Sequence, residues 1–101
     1  MAYKTKIHPI VRHDLEAAKK WYSERKEELG EEFKCEVNKE IDSIGKSPLQ
    51  YPRKYKELRQ SMIRRFPYSI FFLVEEEKNQ IIIIGVLHSS RNPEIIRRRQ
   101  K

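Results

Sequence analysis

The sequence predicts an α+β domain of order β-α-α-β-β-β, an antiparallel helix hairpin packed on one face of a small, mainly antiparallel sheet. Three observations predict it. Apolar residues recur with helical period from Pro9 to Gly45, the period changes to two from Leu58, and turn residues divide the second half into strand-sized runs. At 101 residues the chain suits one domain, 1–101, in which 93–101 forms a basic tail or short helix.

Tyr3, Thr5 and Ile7 alternate with Lys4, Lys6 and His8, which predicts a short half-buried strand. Pro9 then suits a first helical position, where its missing N–H wastes no hydrogen bond. Val11, Leu15, Ala18, Tyr22 and Leu29 fall on one helical stripe, and Gly30 is the predicted C-cap. Phe33, Val37, Ile41 and Ile44 form the stripe of a second helix, which Gly45 and Pro48 should stop. So short a junction folds two helices into an antiparallel hairpin. The two prolines of residues 46–56 predict an ordered loop. Strands are predicted at about 58–64, 68–75 and 80–88, separated by Phe66-Pro67 and by Glu76–Asn79.

Charge is distributed unevenly. Residues 1–50 hold 10 Lys and Arg against 10 Asp and Glu, while residues 51–101 hold 12 against 5, so 12 − 5 accounts for the whole net +7. A cationic sheet on a neutral helical scaffold suits an acidic partner. No apolar run reaches membrane-span length, Ile81–Leu87 being the longest. The N-terminus shows no apolar region of a signal peptide, and a lone Cys35 allows no internal disulfide, so a cytoplasmic setting is expected. His8, His13 and His88 lack metal-ligand spacing, and Gly30, Gly45 and Gly85 form no phosphate loop, so no metal or cofactor is expected.

Strand parity carries a further expectation. With regular pairing, Ile63, Ile70, Phe72, Val74, Ile81, Ile83 and Leu87 share one sheet face. Met62, Phe71, Leu73, Ile82, Ile84 and Val86 share the other, beside Gln60, Arg64, Ser69 and His88. Two helices cover one face only, so the second needs a cover. An acidic, partly apolar segment of a partner is the expected cover, and the tail with Ile95 and Ile96 is the alternative.

Asp14-Leu15, Trp21-Tyr22, Phe33, Pro48, Tyr51-Pro52, Arg64-Arg65-Phe66-Pro67-Tyr68 and Val86-Leu87-His88 with Arg91 occur at spacings that resemble the RelE/ParE superfamily of bacterial toxin–antitoxin and plasmid-stabilisation proteins. The resemblance spans nearly the whole chain. It implies a toxin held inactive by an acidic antitoxin. No basic amphipathic helix is long enough to anchor to a membrane, so no membrane association is expected, nor nucleic-acid binding outside a complex. RelE-like members cut mRNA on the ribosome without a metal, and ParE-like members poison DNA gyrase. Cleavage of RNA needs proton-transfer groups and cations around the phosphate. The matching positions here are Gln60, Met62 and Ser69, and no tyrosine follows Tyr68, which places the chain closer to the ParE-like branch. That implies an inhibitor rather than an enzyme. A metal-independent endoribonuclease built on His88 and Arg64 is the alternative, and an inactive antitoxin-binding remnant the third reading.

The residues expected to meet target or antitoxin are Arg59, Arg64, Arg65, Phe71, Leu73, His88 and Arg91. Trp21 and Tyr22 are expected in core or hairpin packing, and Cys35 as an inert thiol opposite the second helix's stripe.

Overall fold

Residues 3–92 and 94–99 are described by a computed structural model. Strand β1 (Lys4–Ile7) leads into helix α1 (Ile10–Arg25), α2 (Glu27–Lys46) and a single 3-10 turn at Pro48–Gln50. Strands β2 (Arg53–Tyr55), β3 (Leu58–Met62), β4 (Tyr68–Glu75) and β5 (Gln80–His88) follow, and α3 (Glu94–Arg99) ends the described chain. The five strands form one sheet of order β1-β5-β4-β3-β2. β1 runs parallel to β5, and every other neighbouring pair is antiparallel. No helix among the described residues is long and apolar enough to cross a membrane.

The α+β order and the hairpin-on-sheet packing are as the periodicity predicts, but the joint between the helices is not. α1 ends at Arg25, and Lys26 alone is extended, with φ −157° and ψ 125°. Glu27 and Glu28 then open α2, where carboxylates suit the positive end of the helix dipole. Gly30 therefore lies inside α2 rather than capping α1. A Cβ there would come within 2.9 Å of the Lys19 carbonyl oxygen and overlap Ser23 Oγ. The glycine is needed for close approach of the two helices, and Leu29 belongs to α2. At the other end of α1, Pro9 is the N-cap rather than the first helical residue, and His8 before it accepts the Ile10 N–H through Nδ1 at 3.1 Å.

The loop before β3 contains the short edge strand β2, joined to β3 through Lys56 at φ 45°. A second departure lies in β5. Phe71 pairs with Gly85, yet Phe72 pairs with Ile83, so Ile84 is the extra residue of a β-bulge. Beyond the bulge the parity inverts. Val86 joins the helix-side core with Val11, Phe33, Val37, Ile41, Ile44, Ile70, Phe72, Ile81 and Ile83, all buried. Leu87 moves to the opposite face, and His88 sits across from Tyr68, their rings 5.2 Å apart and edge-on.

The second sheet face has its own core of Leu58, Phe71, Ile84, Leu87 and Ile96, with Leu73, Ile82, Tyr55 and Ile95 around it. Ile96 comes from α3 and is 0% exposed. The chain's own last helix thus covers the centre of the face for which a partner segment was expected. Gly85 permits this, because a Cβ at that position would overlap Ile96 Cδ1 and lie 3.0 Å from Arg99 Nη1.

Candidate functional site

Two grooves flank the C-terminal end of β5. The first, 390 Å³, opens on the second sheet face and is bounded by Lys54, Tyr55, Gln60, Ser69, Phe71 and Arg91. It gathers Phe71, His88 and Arg91 of the residues singled out in the sequence. Its polar pair is neutral and internally satisfied, Gln60 Nε2 donating to Ser69 Oγ at 2.9 Å. Met62, on the same strand, is 71% exposed.

His88 borders this groove, but the bulge has turned its ring toward Tyr68. Its Nδ1 accepts the Ser90 backbone N–H at 3.0 Å and lies 2.9 Å from Ser90 Oγ. With Nδ1 an acceptor, the network assigns the ring proton to Nε2. A ring so held can donate from Nε2, while its Nδ1 lone pair is engaged by the Ser90 N–H. Burial pushes the neighbouring Tyr68 hydroxyl above its ordinary range, with the nearby Tyr22 adding to the effect.

The other singled-out residues lie elsewhere. Arg59 donates to the Tyr51 and Leu49 carbonyls at 2.7 and 3.4 Å, tying the loop before β2 to the sheet. Arg65, at φ 75° in the β3–β4 turn, faces Glu32 and Glu36 of α2 at 3.4 and 3.6 Å. Arg64 is exposed in the same turn, and Leu73 is half-buried beside the α3 cluster. The expected second-face grouping of Arg64 with His88 is thus not assembled.

The second groove, 700 Å³, runs along α1. One wall is formed by Ile10, Ala17 and Trp21, the other by Pro67, Tyr68 and Arg91. Trp21 is 48% exposed rather than packed in the core, with the Arg25 guanidinium 3.2 Å above its ring centroid. At the closed end, Asp14 accepts the Val86 N–H at 3.0 Å and pairs with both Arg99 amino groups at 2.8 and 3.0 Å. Arg99 also donates to the Ile84 carbonyl at 3.0 Å. Sequence reasoning missed this pair, because 85 positions separate its members. Among the described residues no group of three or more His, Cys, Asp or Glu could hold a metal ion.

Solved structures of toxins share this architecture. The chromosomal ParDE toxin–antitoxin system from P. aeruginosa superposes with a TM-score of 0.75 at 18% identity, over 86% of this chain and 96% of that one. The isolated E. coli RelE toxin gives 0.65 at 19% identity, over 96% and 98%. The archaeal RelE–RelB complex from Pyrococcus horikoshii OT3 gives 0.55 at 18%, over 91% and 100%. No curated protein matches the chain. The fold class is therefore that of the ParE and RelE toxins. A family model described as the ParE toxin of type II toxin–antitoxin system, parDE, matches residues 5–93, and the chain belongs to that family.

Proposed function

We propose that this ParE-family toxin acts as a protein-binding inhibitor of DNA gyrase and is neutralised by an acidic antitoxin. The observation that carries the first half is the groove on the second sheet face. Gln60 and Ser69 satisfy each other, Met62 transfers no proton, and His88 is turned to Tyr68 with its Nδ1 occupied. The groove has cations in Lys54 and Arg91 and a donor in His88, but no side chain free to take the 2′-hydroxyl proton, so the base that RNA cleavage needs is missing from the set. Gyrase is the target that the ParE-like resemblance suggests for such a chain.

The surface that suits an acidic antitoxin is the edge of β1. All four of its residues are exposed, Ile7 at 51%. Beside it a 510 Å³ groove between the helices has Leu15, Phe33 and Val37 as its floor and Arg12 and Lys34 at its rim, with Glu16 and with Lys19 paired to Glu31 at 2.9 Å. An open strand edge beside an apolar, cation-rimmed groove favours an extended acidic segment that pairs by backbone and fills the groove with apolar side chains.

The test is a supercoiling assay with purified gyrase beside a ribosome-dependent mRNA cleavage assay. The expected result is loss of supercoiling with no mRNA cut by the wild-type chain. Site-specific mRNA cuts that vanish in a folded His88→Ala variant would establish the nuclease instead.

A further inference from the structure

We infer that the slot between α1 and the end of β5 is the surface through which the chain grips its target, and that the target presents an acidic, apolar-faced helix there. This rests on the toxin reading above. The slot lies on the flank of α1 opposite the groove beside β1. Ile10, His13, Ala17 and Trp21 border one, and Arg12, Leu15, Glu16 and Lys19 the other. A chain that is silenced by one protein and acts on another has here two surfaces that do not share a residue of α1.

The slot specifies its occupant in three ways. First, it is closed to strand addition. β1 stops pairing at Ile83, and beyond it the β5 edge is taken up by Asp14 on Val86 N–H and Arg99 on the Ile84 carbonyl. An incoming segment must therefore satisfy its own backbone and dock by side chains, as a helix does. The wall from Ile10 to Trp21 covers 21 − 10 = 11 helical rises of α1, about 16 Å, or three turns. Second, the walls are apolar and low. Ala17 is small and exposed and leaves room between Trp21 and Tyr68 for a partner's apolar side chains. Third, the charge is one-sided. The one acid in the lining, Asp14, is consumed by Arg99 and Val86 N–H, which leaves Arg91 facing no other carboxylate of the lining. Carboxylates flanking the partner's apolar stripe meet Arg91 on one side, and Arg25 stands beyond Trp21. Exposed Trp and Arg with a Tyr wall are the residue types that concentrate affinity at protein interfaces. Nucleic acid would instead need a row of free cations, and the slot offers one arginine.

Trp21 is the chain's only tryptophan, so 5-fluorotryptophan gives one ¹⁹F signal inside the slot. The probe is a capped peptide of about 14 residues, roughly four turns, with Leu at i, i+3, i+4, i+7 and i+11 and Glu elsewhere. It should move the signal, while the same peptide with Lys for Glu and a single-stranded RNA oligonucleotide should not. Ala17→Arg, which fills the slot, and Arg91→Glu, in an exposed turn, should each weaken the response at least about tenfold. In cells the wild-type chain should arrest growth, and both variants, shown folded by circular dichroism, should not. A silent Trp21 signal, equal responses to the Glu and Lys peptides or to RNA, or folded variants that arrest growth like wild type would overturn the inference and leave the toxin reading intact. A wild-type chain that fails to arrest growth would overturn both.

Discussion

Replacing Gly85 by Ala should release α3 without unfolding the sheet. Gly85 has an ordinary negative-φ backbone, so alanine is not strained there by conformation. What it meets is Ile96, whose Cδ1 a new Cβ would overlap, and Arg99 Nη1 at 3.0 Å. Ile96 must leave its position or the helix must lift. Overpacking of this kind costs about 1–3 kcal/mol, and here the cost falls on the docked state of α3 alone. The loss of glycine's unfolded-state freedom offsets about 0.4–1 kcal/mol of that for the chain as a whole. The opening equilibrium of α3 should therefore rise roughly 5- to 150-fold, while global stability falls by no more than about 2.6 kcal/mol. Amide hydrogen exchange resolves the two. Exchange at Ile95–Arg99 should accelerate, and protection in β4 and β5 should change far less. Unchanged α3 exchange in a folded Gly85→Ala protein would show that Ile96 does not hold the helix against Gly85.

Two further outcomes follow from the core. Ile41→Ala removes a side chain 9% exposed between α2 and the sheet and should cost roughly 2–5 kcal/mol in denaturant titrations; a loss under about half a kcal/mol would contradict the packing. Burial, then the Glu40 hydrogen bond and charge, push the Tyr51 hydroxyl up to about 12 from its ordinary 10. A raised folded-state value means that the folded chain holds the proton more tightly, so this contribution is complete below pH 10 and is lost as pH rises through about 12. Tyr51→Phe should flatten that alkaline loss in urea titrations at stepped pH, and an unaltered slope would assign it to Tyr22 and Tyr68, whose hydroxyls are also raised.

Much of the fold was legible because the signals were local. Pro67 and the Glu76–Asn79 turn mark β4 and β5 to the residue, and the stripe of α2 is buried as its period requires. The helix joint was hidden because the apolar stripe continues past Lys26, and only Glu27 and Glu28 mark the restart. The bulge was hidden because Ile81–Ile84 is a uniform run, in which every register looks equally apolar. Gly85 was its one visible mark. That single extra residue turned the His88 ring toward Tyr68 and brought Leu87 to the second face, so the site was less legible than the fold. Arg59 and Arg65 were visible as charges, but their acceptors, the Tyr51 carbonyl and Glu32 with Glu36, come from elements that only tertiary packing brings near.

Asp14 also sets how α3 moves. The contact with Arg99 spans 85 positions, yet the same carboxylate already holds Val86 N–H. Once the sheet has formed, the segment left to close is therefore 99 − 86 = 13 residues long. Loop closures near that length take on the order of 10–100 ns, far faster than the folding of a mixed α/β domain. Whenever the last helix detaches it can thus re-dock without the sheet unfolding. The second sheet face is in consequence a surface whose availability is set by a local equilibrium, independent of global unfolding.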